Sequence, residues 1–219
     1  METDANAAFN VRNWFFDFDG TLADTEPDIR GTWLRALASL GLDCPGFAKV
    51  YRTGPSLDDI SRALFPGISA AMLEKIRETF KREYDSSPLA LSVPYPGAEE
   101  WLRRLRAEGR RLFILSNKRM APLVRLVGRY GWDGLFDGLY TGDMDPAAKR
   151  TKPVLFADAL RERGIAPCDA VVVGDTAGDV EAARACGAFA IGAAWGYGGP
   201  GALAGADAVL DSPPGPGRA

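Results

Sequence analysis

Two aspartates that close an aromatic run are the first candidates for chemistry in this sequence. The run at 14–18 is aromatic except for Asp17, which is typical of a strand buried on both faces. Asp17 and Asp19 are two residues apart, so in an extended chain both face the same side, and Gly20 allows the positive φ of a sharp turn. Burying carboxylates without compensation is costly, and no basic residue lies near them in sequence. We therefore predict a functional pair at the end of a buried strand.

Further polar residues follow two later predicted strands or begin a helix. They are Ser116, Asn117 and Lys118 after the apolar segment 111–115, Asp175 and Asp179 after the Val-rich segment 170–173, and Lys152 at the start of a helix. In a parallel sheet the carboxyl ends of the strands line one crevice, which is where ligands bind. We therefore expect these side chains to converge with Asp17 and Asp19.

Four carboxylates in one crevice require a counter-charge, because each raises the pKa of the others. The sequence has no histidine, so a metal there would have oxygen ligands only. Such ligands favour Mg²⁺, which binds through one or two carboxylates together with waters and phosphate oxygens. Mg²⁺ is thus the predicted cofactor.

The donors around this crevice suit an anionic substrate. Lys118, Lys152 and the Ser116 hydroxyl could bind a phosphate, and phosphoryl transfer needs mainly positioning and charge neutralisation. A carboxylate can accept the phosphoryl group while a second carboxylate protonates the leaving group and later activates water. The predicted partner is a small phosphate ester.

Composition argues against several other classes of protein. The 26 basic and 29 acidic residues give a net charge of -3, and no dense basic run is present, so nucleic acid is not an expected partner. No apolar run approaches the ~20 residues that span a bilayer, so no membrane is expected. Cys44, Cys168 and Cys186 are odd in number and lack a CxxC spacing, which favours reduced thiols and a cytoplasmic location.

The periodicity predicts an α/β protein: a Rossmann-like parallel sheet core with helices on both faces and an inserted α-helical subdomain. Three amphipathic helices, at 27–40, 57–64 and 70–84, are expected between the first strand and the next, with irregular chain at 44–55. From residue 98 onward, strands and helices alternate.

Four motifs in order resemble those of the haloacid dehalogenase-like superfamily: Asp17-Phe18-Asp19-Gly20-Thr21, Ser116-Asn117-Lys118, Lys152-Pro153 and Gly174-Asp175-Thr176-Ala177-Gly178-Asp179. Three further segments are similar to its phosphoglycolate phosphatases: Pro94-Tyr95-Pro96-Gly97, Arg150-Thr151-Lys152-Pro153 and Trp195-Gly196-Tyr197-Gly198. The resemblance implies that Asp17 is the nucleophile and that Asp19 is the acid/base, with its backbone carbonyl on the metal. It also implies phosphate binding by Ser116 and Lys152, direct metal ligation by Asp175 and ligation through water by Asp179.

The same resemblance implies a domain division. Residues 1–21 and 95–211 would form the phosphatase core, and 22–94 a mobile helical cap with hinges near 22–26 and 92–96. Separately, the three prolines and two glycines of 212–219 predict a flexible tail. In the cap, Arg52 either grips an anionic group of the substrate or is a solvated loop residue. The expected substrate-binding residues are Thr21, Ser116, Asn117, Lys118 and Arg52.

The leading hypothesis is a Mg²⁺-dependent phosphatase, monomeric or homodimeric, with 2-phosphoglycolate as a candidate substrate. The rivals are a sugar phosphomutase or other phosphotransferase, and a signalling module that only accepts phosphate on an aspartate. Gly196-Tyr197-Gly198-Gly199-Pro200-Gly201 fits GxGxxG but leaves no room for a following strand-helix unit, so no dinucleotide site is expected there.

Overall fold

A computed structural model describes residues 7–144, 150–199 and 201–214 of the chain. In chain order its elements are β1 (Asn13–Phe16), β2 (Ala23–Asp24), α1 (Glu26–Ser39), α2 (Phe47–Val50), α3 (Leu57–Leu64), α4 (Ala70–Ser86), β3 (Val93–Pro94), α5 (Ala98–Ala107), β4 (Arg111–Ser116), α6 (Met120–Arg129), β5 (Gly138–Thr141), α7 (Lys152–Arg163), a 3₁₀ turn (Pro167–Asp169), β6 (Ala170–Gly174), α8 (Ala177–Cys186), β7 (Phe189–Ala193) and β8 (Ala208–Leu210).

A six-stranded parallel sheet organises the fold, in the order β5-β4-β1-β6-β7-β8. Helices lie between β1 and β4, between β4 and β5 and between β6 and β7, as is usual for parallel neighbours. The described chain between β7 and β8 contains no helix. The predicted fold class, a Rossmann-like α/β core, is confirmed.

The first strand lies in the middle of the sheet because its side chains are apolar on both faces. All four residues of β1 are buried, and Phe15 pairs in register with Phe113 of β4 and Val172 of β6. The rings of Phe15 and Phe113 stack with centroids 4.5 Å apart, a contact worth about 0.5–1.5 kcal/mol beyond area burial. This packing places the end of β1 between the ends of β4 and β6.

The chain divides into two compact units, one of residues 1–24 and 93–219 and the other of residues 25–92. The first contains the sheet and a two-stranded antiparallel ribbon in which Ala23 of β2 pairs with Pro94 of β3. The second unit is helical, and Trp33 of α1 packs on Phe80 of α4 with ring centroids 5.0 Å apart. The interpretation of the helical unit as a mobile cap stays a prediction.

The described part of the helical unit has four helices rather than the predicted three. The extra helix, α2, lies in the segment predicted to be irregular. It has only four residues, too few to show a helical period in the sequence, and Phe47 stacks on Tyr51 with centroids 4.8 Å apart. This contact joins residues four apart, one turn along the same helix, and is therefore local.

The predicted flexible tail is only partly described. Residues 215–219 lie outside the described residues, whereas Pro213 is buried next to Gly97.

Candidate active site

Asp17 lies directly beyond β1 and is held there by the sheet. Its backbone N–H donates to the Val173 carbonyl of β6 at 2.9 Å. The side chain is buried, with 6% of the residue exposed. The first motif residue is therefore fixed at the carboxyl edge of the sheet, as predicted.

Asp175 and Asp179 reach the same edge from the end of β6 and the first turn of α8. Asp179 accepts the Thr176 backbone N–H at 3.0 Å and the Thr176 hydroxyl at 2.6 Å, which caps α8. A Cβ on Gly174 would come within 2.1 Å of the Asp179 carboxyl carbon, so this position requires glycine.

Three buried carboxylates come together here. One oxygen from each of Asp17, Asp175 and Asp179 lies within 4.8 Å of the others. Among the described residues these three form a group able to hold a metal ion. The side chains of Asp17, Asp175 and Asp179 were expected to lie close together, and they do.

Lys152, the first residue of α7, supplies positive charge to this cluster. Its Nζ donates to Asp179 Oδ1 at 2.6 Å and lies 3.1 Å from Asp17 Oδ1. All three side chains are buried, so the pairing is little screened by water. The compensating charge that is lacking in the local sequence therefore comes from a distant element.

The ionisation of the cluster follows from burial and charge. Burial, partly offset by Lys152 and reinforced by Asp179, Asp175 and Asp19, raises the pKa of Asp17 to about 7. Burial and then the charge of Asp179 also raise the pKa of Asp175. Burial would lower the pKa of Lys152, but the charges of Asp17 and Asp179 outweigh it and the pKa is raised. The lysine stays charged, and the carboxylates carry more negative charge than it offsets.

Asp19 lies apart from the three-carboxylate cluster. Its Oδ1 accepts a hydrogen bond from Lys118 Nζ at 2.8 Å, and the Lys118 side chain is fully buried whereas that of Asp19 is 20% exposed. Lys118 is predicted to contact substrate, and in the structure its ammonium contacts Asp19, the predicted acid/base.

The end of β4 provides two further predicted substrate-binding residues. Ser116 is buried, and its Oγ accepts the Lys118 backbone N–H at 3.2 Å. Asn117, between them, is exposed. Their contact with a substrate stays a prediction.

The Thr21 side chain contacts a carboxylate and is not exposed at the surface. Its hydroxyl donates to Asp175 Oδ1 at 3.0 Å, and the residue is fully buried. The structure therefore supports a role in orienting Asp175, and substrate contact by Thr21 stays a prediction.

Sequence reasoning assigned no role to the loop at 195–198, which holds Asp175 from the other side. The backbone N–H groups of Tyr197 and Gly198 donate to Asp175 Oδ2 at 2.7 and 3.3 Å. A Cβ on Gly196 or Gly198 would come within 2.3 Å of the Asp175 Cβ and 1.7 Å of its carbonyl oxygen, respectively. The glycine spacing was the available signal: it reflects close backbone approach to a carboxylate.

The same loop contacts the chain that follows the first motif. The Trp195 indole N–H donates to the Thr21 carbonyl at 3.0 Å, and the Tyr197 hydroxyl donates to Asp24 at 2.8 Å. Burial and the Asp24 charge raise the pKa of neighbouring Tyr95 to about 12, so that phenol stays neutral. The loop that binds Asp175 therefore also contacts Thr21 and Asp24, on either side of the turn after β1.

Arg52 belongs to the helical unit, between α2 and α3. It is exposed, and its guanidinium donates to the Tyr51 carbonyl at 2.6 Å. Its proposed contact with substrate stays a prediction.

A model of the haloacid dehalogenase-like hydrolases matches residues 11–187, which include all four motifs. The chain belongs to this family. A phosphoglycolate phosphatase of Cupriavidus necator is 34% identical over 204 residues, covering 90% of this chain and 87% of that protein. One of Aquifex aeolicus is 30% identical over 196 residues, covering 85% and 86%. CbbY of Rhodobacter sphaeroides, solved in complex with phosphate, is 26% identical, with a TM-score of 0.74 over 92% of this chain and 94% of that chain.

This haloacid dehalogenase-like protein is accordingly a phosphatase, a hydrolase of small phosphate esters. Phosphatases of the family generally use a divalent metal, and the three buried carboxylates are a group of the kind that holds one. Within the described residues, none of the helices has both the length and the apolar character needed to cross a bilayer.

Proposed function

We propose that the chain is a Mg²⁺-dependent phosphatase that acts through an aspartyl-phosphate on Asp17, with 2-phosphoglycolate as the first candidate substrate. One observation carries the proposal: a cluster of three carboxylates and a fourth carboxylate outside the cluster lie at the same edge of the sheet. Asp17 lies in the cluster beside Lys152, and Asp19 lies outside it beside Lys118.

The donor set fits a hard divalent cation. Asp17 Oδ1 is buried, lies 3.1 Å from Lys152 Nζ, and has no hydrogen bond of good geometry among the described residues. Asp17 and Asp175 would hold the ion together with the Asp19 carbonyl, and Asp179 would act through water. When bound, Mg²⁺ supplies neutralisation of phosphate and carboxylate charge.

In the first step Asp17 Oδ attacks phosphorus, and the bond from phosphorus to the ester oxygen breaks. Protonated Asp19 gives its proton to the leaving oxygen. Lys152 offsets the negative charge on Asp17 and on the phosphoryl oxygens, and Ser116 donates to the phosphate. The products are an alcohol and the acyl phosphate of Asp17.

In the second step water attacks phosphorus of the acyl phosphate, and the Asp19 carboxylate takes the water proton. The bond to the Asp17 oxygen breaks, which releases phosphate and restores both aspartates. Proton and charge balance are thus met by two carboxylates without histidine.

The substrate assignment is supported by the named activity of the relatives and by the exposed guanidinium of Arg52. We propose that the helical unit is a cap and that Arg52 binds the carboxylate of the substrate, since guanidinium pairs with carboxylate in a bidentate way.

The decisive test measures phosphate release from a panel of phosphate esters with Mg²⁺, including 2-phosphoglycolate and sugar bisphosphates. We expect multiple turnovers, the highest kcat/KM for 2-phosphoglycolate, and a raised KM for that substrate alone in Arg52→Ala. Arg62→Ala, on the same unit, is a matched control. Transfer of phosphate to a second hydroxyl without free phosphate would favour a phosphotransferase, and a single turnover would favour a signalling module.

A further inference from the structure

The ion pair between Lys118 and Asp19 is the feature of the site that phosphate binding does not explain. Lys118 Nζ lies 2.8 Å from Asp19 Oδ1 and 5.8 Å from the centroid of the Phe18 ring. The lysine side chain has no solvent exposure. A buried ammonium of this kind requires a carboxylate partner, and its hydrogen bond is charge-assisted.

The two lysines of the site contact three of its four carboxylates, each lysine a different set. Lys152 lies on Asp17 and Asp179, at 3.1 and 2.6 Å, whereas Lys118 lies on Asp19. The Asp19 side chain is not part of the three-carboxylate cluster.

The position of Lys118 is itself fixed at the end of β4. Its backbone N–H donates to Ser116 Oγ at 3.2 Å, and Ser116 ends a strand that is paired with both β1 and β5. The ammonium thus reaches Asp19 from a rigid part of the sheet. Support from a rigid strand is what precise orientation of a proton-transfer group needs.

We propose that Lys118 is a positioning residue that orients the Asp19 carboxylate for attack by water on the acyl phosphate, and that it does not bind the transferred phosphate. The inference rests on the proposed function. The contact is with a carboxylate oxygen, so it orients the form of Asp19 that accepts the proton of water in the second step. Lys118 keeps its own protons throughout.

The test uses p-nitrophenyl phosphate with the full chain and Mg²⁺, because its leaving group departs without a proton. The rapid first release of p-nitrophenol then reports transfer to Asp17 alone, and steady-state release reports hydrolysis of the acyl phosphate. The variants are Lys118→Met, Asp19→Asn and the double variant, which together form a double-mutant cycle.

We expect Lys118→Met to retain the rate of the first release and to lose about 10²-fold in steady-state turnover, the typical cost of a misplaced catalytic group. In the Asp19→Asn background the same substitution should change neither rate, because Lys118 acts through Asp19. Lys118→Arg, which keeps the charge, should recover part of the steady-state rate.

A slower first release on Lys118→Met in both backgrounds would show direct phosphate binding and overturn the inference, as would unchanged turnover in Lys118→Met. If Asp19→Asn itself keeps full turnover, the proposed function fails in its acid/base assignment, which is a different result. Should Lys118→Met not fold, as judged by thermal unfolding, Lys118→Gln takes its place in the same cycle.

Discussion

The two units surround their buried carboxylates with different groups. In the helical unit, Asp28 is buried and its Oδ2 accepts three hydrogen bonds, from the Leu91 and Ser92 backbone N–H groups at 2.9 and 2.7 Å and from the Ser92 hydroxyl at 2.7 Å. In the α/β unit, Asp17 is equally buried but lies against two other carboxylates, and its pKa is raised.

The difference separates a structural carboxylate from one that we propose to be reactive. Neutral donors satisfy Asp28 Oδ2, which links α1 to the segment before β3. The cluster has an excess of negative charge that a proton or a bound cation would relieve, which is why we propose it as the metal site.

The largest expected effect comes from removing the proposed nucleophile, Asp17. Asp17→Asn should lower turnover by about 10⁴-fold or more, because no acyl phosphate forms. The metal-free protein should remain folded, since the change removes a carboxylate with a raised pKa. Phosphate release and thermal unfolding in EDTA measure the two effects, and Mg²⁺-dependent turnover by this variant would contradict the assignment.

Lys152→Met should be severe in both activity and stability. It leaves Asp17 and Asp179 buried without their cation, and loss of one partner of a buried ion pair costs about 3–5 kcal/mol. Urea unfolding measures the loss. Because the bound metal offsets part of the charge, the loss should be smaller in saturating Mg²⁺ than in EDTA, and equal losses would argue against a metal in the cluster.

Mg²⁺ should stabilise the protein more at about pH 8 than at about pH 5. Burial raises the folded-state pKa of Asp17 to about 7 from its ordinary value of 3.8, so the metal-free folded protein binds more protons than the unfolded chain between these two pH values. Its stability therefore falls as pH rises through that window. The metal displaces that proton, so the Mg²⁺-induced rise in Tm should grow with pH and should flatten in Asp17→Asn. A rise in Tm that is independent of pH would contradict the assignment of Asp17 as a ligand.

The smallest expected effect concerns Asp28. Asp28→Ala leaves three donors, two of them buried, without their acceptor and should lower the free energy of unfolding by about 1–3 kcal/mol. Asp28→Asn can present its amide oxygen to the same donors and should cost less. Neither should show the dependence on Mg²⁺ expected of Lys152→Met; urea unfolding with and without Mg²⁺ makes the comparison, and a Mg²⁺-dependent loss would place Asp28 with the reactive carboxylates.

Much of the sheet was predictable because its strands are short apolar runs bounded by glycine or polar residues. The valines of β6 and the aromatic residues of β1 indicate central strands without reference to the rest of the chain. Helix α2 was not predictable, because four residues are too few to show a helical period. The glycines on either side of Tyr197 could be recognised in the sequence, but their close approach to Asp175 could not be predicted from it.

The candidate groups could be named from local sequence: Asp17 and Asp19 after one strand, Asp175 after another, and Lys152 at a helix start. Strand ends and helix starts can be recognised locally, because polar residues follow an apolar run or precede a helical period there. The contact of each lysine with its carboxylates could not be read in this way. That pairing depends on distances between distant segments, and the strand order that sets those distances is a property of the folded sheet.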